Sequence, residues 1–281
     1  GDTEEMLRQY ADLVAMGTVA DMMPLLGENR FLVHAGLTKL IHAPRPGLAA
    51  LIHKTLSPGK ELTSSSISFS LAPRINAAGR MGQSDFAVRL MMTKDPQEAE
   101  EIAQTLCDLN LQRQTLEQEI WQEAVDMVGE SPAAGPLVLA SEHWHKGIVG
   151  ITASRLAEKY NVPSIMICLD GEEGKGSCRS YGDFDLFAAL AACADHLKGF
   201  GGHALAAGLT LDKRNLDAFR SALEEYYLRT PKKDAPQLVC ELHIGDAALL
   251  SLPCVEALEA MEPYGSGNAK PLMCITGAVL E

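Results

Sequence analysis

The sequence predicts an α/β protein, and three observations carry that prediction. From about residue 137 onward, apolar runs of strand length alternate with amphipathic helical patterns. Residues 1–95 read as mostly helical, with one conspicuous loop. Between them, DPQEAEEIAQTLCDLNLQRQTLEQEIWQEAVDMV carries apolar residues at helical spacing.

In the first segment, YADLVAMGTVADMMPL runs apolar, breaks at Gly17-Thr18 and then meets Asp21 and Pro24. NRFLVHAGLTKLIHA and PRPGLAALIHKTL have helical spacing, the second opening on proline as helix N-termini often do. SISFSLAPRINAAGRMG reads as a short β-prone stretch leading into a loop with Gly and Asn. Asp95-Pro96 is a helix start signal, and Ile102, Leu106, Leu109, Leu116, Ile120 and Val125 form the expected buried stripe of a connecting helix over 96–132. Either a helix joining two domains or the core helix of a bundle fits this pattern. GESPAAGP (129–136) marks a boundary by composition. A compact α/β domain is expected over 133–230, with strands at LVLAS, PSIMICLD, KGSCRS and after GGHALAAG, and helices at GIVGITASRLAEKY, FDLFAALAACADHL and LDAFRSALEEYYLR. PKKDAPQ reads as a linker. LVCELHIG and PLMCITGAVL then suggest the beginning of a β-rich domain over 231–281, since two or three strands make no stable sheet alone.

The 281 residues give room for about two domains at roughly 100–200 residues each. A composition of 47% hydrophobic and 22% charged residues is that of a soluble globular chain with a sizeable core. No apolar run approaches the roughly 20 residues of a membrane helix, and the polar, acidic N-terminus is no signal peptide. The sequence opens without Met inside a helical pattern and reads as a piece of a longer protein. Seven cysteines without a CxxC pair suggest reduced thiols in a cytoplasmic protein. The net charge of −13 argues against a broad electrostatic grip on nucleic acid, although a narrow basic groove on an acidic body is compatible with it. Charge alone favours a small-molecule enzyme, so a nucleic-acid function has to rest on motifs.

Four motifs stand out. GTVAD ends in Asp21, a carboxylate at the rim of a core, where hard divalent cations find oxygen ligands. A turn cap before Pro24 is the alternative, and Asp12 reads as part of a solvated helix face. In PRINAAGR, Arg74, Asn76 and Arg80 flank small residues, so guanidinium and backbone groups reach a phosphate, or else the segment starts a helix with solvated arginines. GKGSCRS offers glycine-rich backbone N–H groups with Ser177, Arg179 and Ser180 as a phosphate cradle, against a plain hairpin. GFGGHALAAG permits close backbone approach at Gly201 and Gly202, and His203 either binds phosphate, orients a scissile group or is a satisfied turn residue. Trp144 and His145 precede a helix N-terminus, an anion site by its dipole. Trp144 stacks on a base or plugs a core edge.

YADLVAMGTVADMMPL, PRINAAGR, HWHKGIVGITASRL, GSCRS, GGHALAAG and EPYGSGNAKP occur in this order over about residues 8–272. The series resembles the RecJ family of single-strand-specific DNA exonucleases in the DHH/DHHA1 phosphoesterase superfamily. The resemblance implies the C-terminal part of a DHH domain over 1–95, the connecting helix, a DHHA1 domain over 133–230 and the start of an OB-like domain. It implies a site for two metal ions, Mn2+ or Mg2+, with Asp21 at a ligand position and Arg80, Arg179, Ser180 and His203 in motifs facing the strand and its terminal phosphate. It also implies 5′→3′ hydrolysis of single-stranded DNA in repair or recombination, with a single-strand-binding protein or a helicase as partner, and a monomer. Two departures matter. Cys178 stands where the family has the second glycine of GSGRS, and the DxD and DHH motifs that supply most metal ligands are absent from these residues. With Asp21 alone a two-metal site does not assemble, so these residues are expected to be inactive by themselves. The alternatives are a superfamily phosphodiesterase for oligonucleotides or cyclic dinucleotides, and a non-catalytic nucleic-acid-binding relative.

Overall fold

The computed structural model describes residues 3–129, 135–231, 238–246 and 249–277. The boundary expected at 129–136 and the linker expected at 231–237 fall mostly outside them. The chain divides into two compact units, Gly1–Asn110 with Gln237–Glu281, and Leu111–Pro236.

The first unit is helical: α1 (Thr3–Ala20), α2 (Gly27–His42), α3 (Pro46–Thr55), α4 (Ser64–Ser66), a π-helical turn (Ile67–Leu71), α5 (Ala72–Arg80) and α6 (Ser84–Met92). α1 and α2 approach closely because position 36 is glycine; a Cβ there would lie 2.3 Å from the Ala11 carbonyl oxygen. Ala15, Met16, Val19, Val33, Leu37 and Leu40 pack where the two helices meet, joined by Leu48, Leu51, Ile67, Leu71 and Leu90. Here the structure corrects two expectations. SISFSLAPRINAAGR is helical throughout rather than strand and loop. Thr63 caps it through a reciprocal bond with Ser66, and burial of Ile67, Leu71, Ala77 and Ala78 outweighs the β-preference of its Ile and Phe. The helix stops where Gly82 takes a left-handed φ of 73°, letting Gln83 N–H reach the Ala78 carbonyl and Gly82 N–H the Gly79 carbonyl.

Asp12 is the second correction, because it is not solvated. Its side chain is 0% exposed and its carboxylate accepts from Arg45 Nε (2.8 Å) and Nη2 (2.9 Å), with Lys39 Nζ at 3.2 Å. Arg45, the residue before α3, also donates to the carbonyls of Gln9 and Met91. The periodicity held the signal: Asp12 shares a helical stripe with Ala15, Met16 and Val19, all buried.

α7 (Pro96–Val128) is one uninterrupted helix of 33 residues, opened by Asp95, whose carboxylate accepts from Gln97 N–H. Its residues to Asn110 count with the first unit and those from Leu111 with the second. Ile102, Leu106, Leu109 and Ile120 of the expected stripe are buried, while Leu116 and Val125 are half-buried.

The second unit carries β1 (Leu137–Ser141), α8 (Val149–Tyr160), β2 (Ser164–Asp170), β3 (Glu173–Arg179), α9 (Leu186–Ala192), β4 (Gly199–Gly202), β5 (Ala206–Asp212) and α10 (Leu216–Arg229). The sheet order is β1-β2-β3-β5-β4, with β1 and β2 parallel and the other pairs antiparallel. Ile165, Ile167, Cys178, Ala207, Leu209 and Leu211 face α9 and α10 through Leu186, Leu190, Phe219 and Leu223. α8 packs on the opposite face over β2 and β3. The last part of α7 is fastened to α8: Glu117 accepts from Arg113 (2.6 Å) and Arg155 (2.8 Å), and the Arg155 guanidinium lies 4.2 Å over the Trp121 ring.

The tail of the first unit forms β6 (Leu242–Ile244), α11 (Leu252–Glu259) and β7 (Met273–Ile275), with β6 and β7 parallel. Its EPYGSGN turn is docked: Leu25 N–H donates to the Ser266 carbonyl at 2.7 Å, and Ser64 Oγ to the buried Tyr264 carbonyl at 2.6 Å.

Burial alone would raise the Asp12 pKa, but bonds and charge from Arg45 and Lys39 outweigh it, so the carboxyl lies below the ordinary carboxylate value. A depressed folded pKa contributes stability that is fully present above the unfolded value, about 3.9, and is lost as pH falls through the folded one. Asp12→Ala, which leaves Arg45 unpaired, is expected to destabilise the first unit by about 3 kcal/mol and to flatten its acid-unfolding limb below about pH 4. Urea melts of wild type and variant at pH 7 and pH 3 check this, and equal losses at both pH values would contradict it.

Candidate nucleic-acid interface

Each unit brings part of the predicted set together. In the first, the end of α1 and the exposed side of α5 border a cavity of about 550 Å³. Gly17 and Asp21 line one side, and Asn76, Gly79, Arg80 and Ser84 the other. Residues 76, 79 and 80 share a face because helical neighbours recur three and four apart, and that face is the exposed one. Asp21 projects from the turn closing α1, where its N–H donates to the Gly17 carbonyl. Arg74 is not brought to this cavity. It lies half-buried, with Nη1 donating to the Ser70 carbonyl.

One carboxylate beside an amide and a guanidinium suits a phosphate bridged to a cation better than a bare cation. Asp21 fits Mn2+ or Mg2+ as a single hard oxygen ligand. Among the described residues, no three His, Cys, Asp or Glu side chains form a group able to hold a metal ion.

The second unit builds its part on the sheet. Register aligns Ser177 with Gly208 and Gly208 with Gly201, and aligns Arg179 with Ala206. Side chains alternate across a strand, so Ser177 and Arg179 share one face with Gly208 and Gly201. This is the face on which α8 sits. The first turn of α8 meets β3 at Gly150, where a Cβ would come within 3.1 Å of Arg179 Nη2 and 3.6 Å of Ser177 Oγ. A guanidinium, a hydroxyl and a helix N-terminus therefore converge at one point, the composition of an anion site. Arg179 is braced by a 2.8 Å bond from Nη1 to the Cys178 carbonyl. Beside it, Gly199, Gly201 and Gly208 are exposed, giving β4 and β5 a floor without side chains. Gly202 has a φ of 140°, and a Cβ there would come 2.4 Å from the Ala206 carbonyl, so the hairpin to His203 requires glycine. His203 is exposed on that turn, its N–H donating to the Ala206 carbonyl.

Cys178 does not crowd the cradle. Alternation turns it to the opposite face, where burial pushes its thiol up to about 12, so it stays protonated. The Ser180 hydroxyl donates to the Phe184 carbonyl and keeps only acceptor capacity. His145 Nδ1 accepts from Gly147 N–H at 3.1 Å, which leaves Nε2–H as the donor of the neutral ring. Trp144 is a correction. It is 6% exposed and donates from Nε1 to Glu123 at 2.8 Å, while Ser141 Oγ donates to the other carboxylate oxygen at 2.9 Å. An indole buried in this way has no free face for a base. Gly150 lies in the first turn of α8, where glycine is common, so the sequence alone gives no signal of the close approach to Ser177 and Arg179.

The charge of −13 is unevenly spread. Residues 143–157, 174–182 and 196–211, which build the cradle and its floor, contain no carboxylate, but include Lys146, Arg155, Lys175, Arg179 and Lys198.

Residues 134–228 match the DHHA1 domain family, so the second unit carries a DHHA1 domain. Over 282 aligned residues the chain is 37% identical to the single-stranded-DNA-specific exonuclease RecJ of Bacillus subtilis, covering 99% of this chain and 36% of that protein. The crystal structures of Thermus thermophilus RecJ in complex with Mg2+ and with Mn2+ superpose with TM-scores of 0.85 and 0.86 at 36% and 35% identity, covering 95% of this chain and 41% and 40% of theirs. Over nearly its whole length the chain is thus similar to these RecJ proteins. It spans well under two thirds of the relatives it matches.

Two glycines separate fold from site. Gly202→Ala is expected to cost the second unit about 1–3 kcal/mol through backbone strain. Gly150→Ala, in the first turn of α8 and meeting only side-chain atoms, is expected to leave stability nearly unchanged while displacing Arg179 and weakening oligonucleotide binding. Urea melts and binding isotherms on both variants check the pair. A Gly150→Ala protein with unaltered affinity would dissociate this contact from the anion site.

Proposed function

We propose that the chain is the strand-binding part of a single-strand-specific DNA exonuclease, holding single-stranded DNA by its phosphates and contributing one ligand to the metal site. The observation that carries this reading is the convergence of Arg179, Ser177 and the α8 N-terminus beside a glycine floor, on a surface built from stretches without carboxylates. The relatives' names state the activity of those proteins; the electrostatics of this surface support it here.

In this reading Arg179 and Ser177 bind a phosphate at the head of α8. The floor of Gly199, Gly201 and Gly208 lets the sugar-phosphate chain lie close to the backbone, and a narrow floor suits one strand better than a duplex. His203, at the end of that floor, orients or neutralises a phosphate through its ring N–H. Arg80 and Asn76 hold phosphate oxygens at the cavity, and Asp21 would hold Mn2+ or Mg2+. When bound, a pair of such ions activates water and stabilises the leaving oxygen. We further propose the domain bounds 1–95, 96–132, 133–230 and 231–281, with β6, α11 and β7 opening an OB-like domain. Leu238, Val239, Leu249 and Leu250 are exposed on this tail. The setting is a cytoplasmic monomer that degrades strands 5′→3′ in repair or recombination, beside a single-strand-binding protein or a helicase. None of the described helices is long and apolar enough to cross a membrane.

These 281 residues are expected to bind a 5′-phosphorylated single strand in preference to duplex, more weakly as salt rises, and to release no mononucleotides with Mn2+. Arg179→Ala removes a charge-assisted contact of about 1.5–3 kcal/mol, so affinity for the single strand should drop roughly ten- to a hundredfold. Its melting temperature should hardly move. Fluorescence anisotropy and thermal melts on one preparation check both, and unchanged affinity in the folded variant would remove Arg179 from the site.

A further inference from the structure

The helical run from α4 through α5 presents a feature that the cradle and the cavity leave unused. Phe69 lies in the π-helical turn, and its ring is 80% exposed. Single exposed apolar residues are ordinary on protein surfaces, so exposure alone assigns nothing. Position is more informative. Along this run the buried residues are Ser64, Ser66, Ile67, Leu71, Ala72, Ala77 and Ala78, and the exposed ones are Ser65, Phe69, Asn76, Gly79 and Arg80. Phe69 therefore stands on the open side of the helix that carries Asn76 and Arg80 to the cavity. Seven and eleven residues on, these two return to nearly the same helical angle, and the π turn offsets this only modestly. At 1.5 Å per residue the ring sits about 10 Å along the helix from Asn76 and about 16 Å from Arg80.

The chemistry around the ring favours a nucleic-acid strand over an apolar protein surface. From Leu62 to Ser84 the chain has no carboxylate and two arginines, in a protein of net charge −13. Half-buried Ser68 and Ser70 flank the ring with hydroxyls rather than further apolar side chains. An isolated aromatic face on a helix that also presents an amide and a guanidinium matches the alternation of base and phosphate along a single strand.

We infer that Phe69 is a base-stacking residue, its ring taking the face of an unpaired nucleobase in a strand whose phosphates run toward Asn76 and Arg80. This rests on the single-strand reading above and adds a contact to the bases that the phosphate cradle does not make. Stacking tolerates any base, because each has a π-face, so the contact selects unpaired over paired nucleotides without selecting sequence.

Two oligonucleotides of equal length separate base from backbone: a 12-mer of thymidine and a 12-mer of abasic residues, both 5′-phosphorylated. The 281-residue chain should prefer the thymidine strand. Phe69→Ala should weaken binding of that strand by about five- to a hundredfold and leave the abasic strand unaffected. Phe69→Leu should behave like Phe69→Ala, because an apolar side chain without a π-face does not stack. Phe69→Trp should keep the wild-type affinity, and its indole emission should quench as thymidine strands bind but not as abasic ones do. Thermal melts should coincide for all four proteins, since the ring is outside the core. Unchanged thymidine affinity in Phe69→Ala, or equal losses on both strands, would overturn the assignment while leaving the single-strand reading intact. A wild-type chain that binds neither strand would instead overturn the single-strand reading, and the assignment with it.

Discussion

Much of the first unit depends on one guanidinium. Arg45 reaches the Asp12 carboxylate on α1 with two nitrogens, the Gln9 carbonyl on the same helix and the Met91 carbonyl at the end of α6. α1 carries the turn with Asp21, and α6 begins at Ser84 on the other side of the cavity. The pair thus joins the two helices, α1 and α6, that each contribute residues to the cavity. A buried pair is a poor source of net stability, since desolvation offsets much of the attraction, but breaking it is costly. The four hydrogen bonds of Arg45 tie α1 to the start of α3 and the end of α6.

In the second unit the equivalent constraint is the absence of atoms. Gly150 lets α8 descend until its first turn meets Ser177 and Arg179, and Gly201 and Gly208 leave the neighbouring strands bare. Alternation along β3 does the rest, sending Ser177 and Arg179 to the open face and Cys178 into the core behind it. A cysteine fits at this position for this reason, as its side chain adds volume on the core side of β3. The cluster of Glu117, Arg155 and Trp121 holds α8 to the last turns of α7, so the helix whose N-terminus forms the anion site is itself held at mid-length.

The net charge of −13 is not evenly spread along the chain. Carboxylates crowd α7, with Glu98, Glu100, Glu101, Glu117, Glu119 and Glu123 among them, and are missing from the stretches that build the cradle. Over distances beyond a Debye length, about 8 Å at physiological salt, exposed charges are largely screened. Glu117 and Glu123 approach α8 and the segment before it, but each is taken up by a partner there, Arg155 and Trp144.

Local pattern was enough to read the element types. α7, α8, α10 and the strands β2 and β5 stand where their periodicity puts them, because amphipathic spacing is a property of residues three, four or two apart. The order of motifs was likewise enough to point to the RecJ family, whose homologues match nearly the whole chain. Contacts between distant residues decided the rest. Asp12 reads as solvated until Arg45, 33 residues on, is folded against it. Trp144 reads as a stacking candidate until Glu123 claims its N–H from 21 residues away. SISFSLAPRINAAGR reads as strand and loop until its alanines are buried in the first unit's core. Gly150 reads as an ordinary helix residue until β3 brings Ser177 and Arg179 beneath it. In each case the deciding energy is burial or charge pairing between segments far apart in sequence. A one-dimensional pattern therefore fixes which face a residue occupies, and only the tertiary fold decides what that face meets.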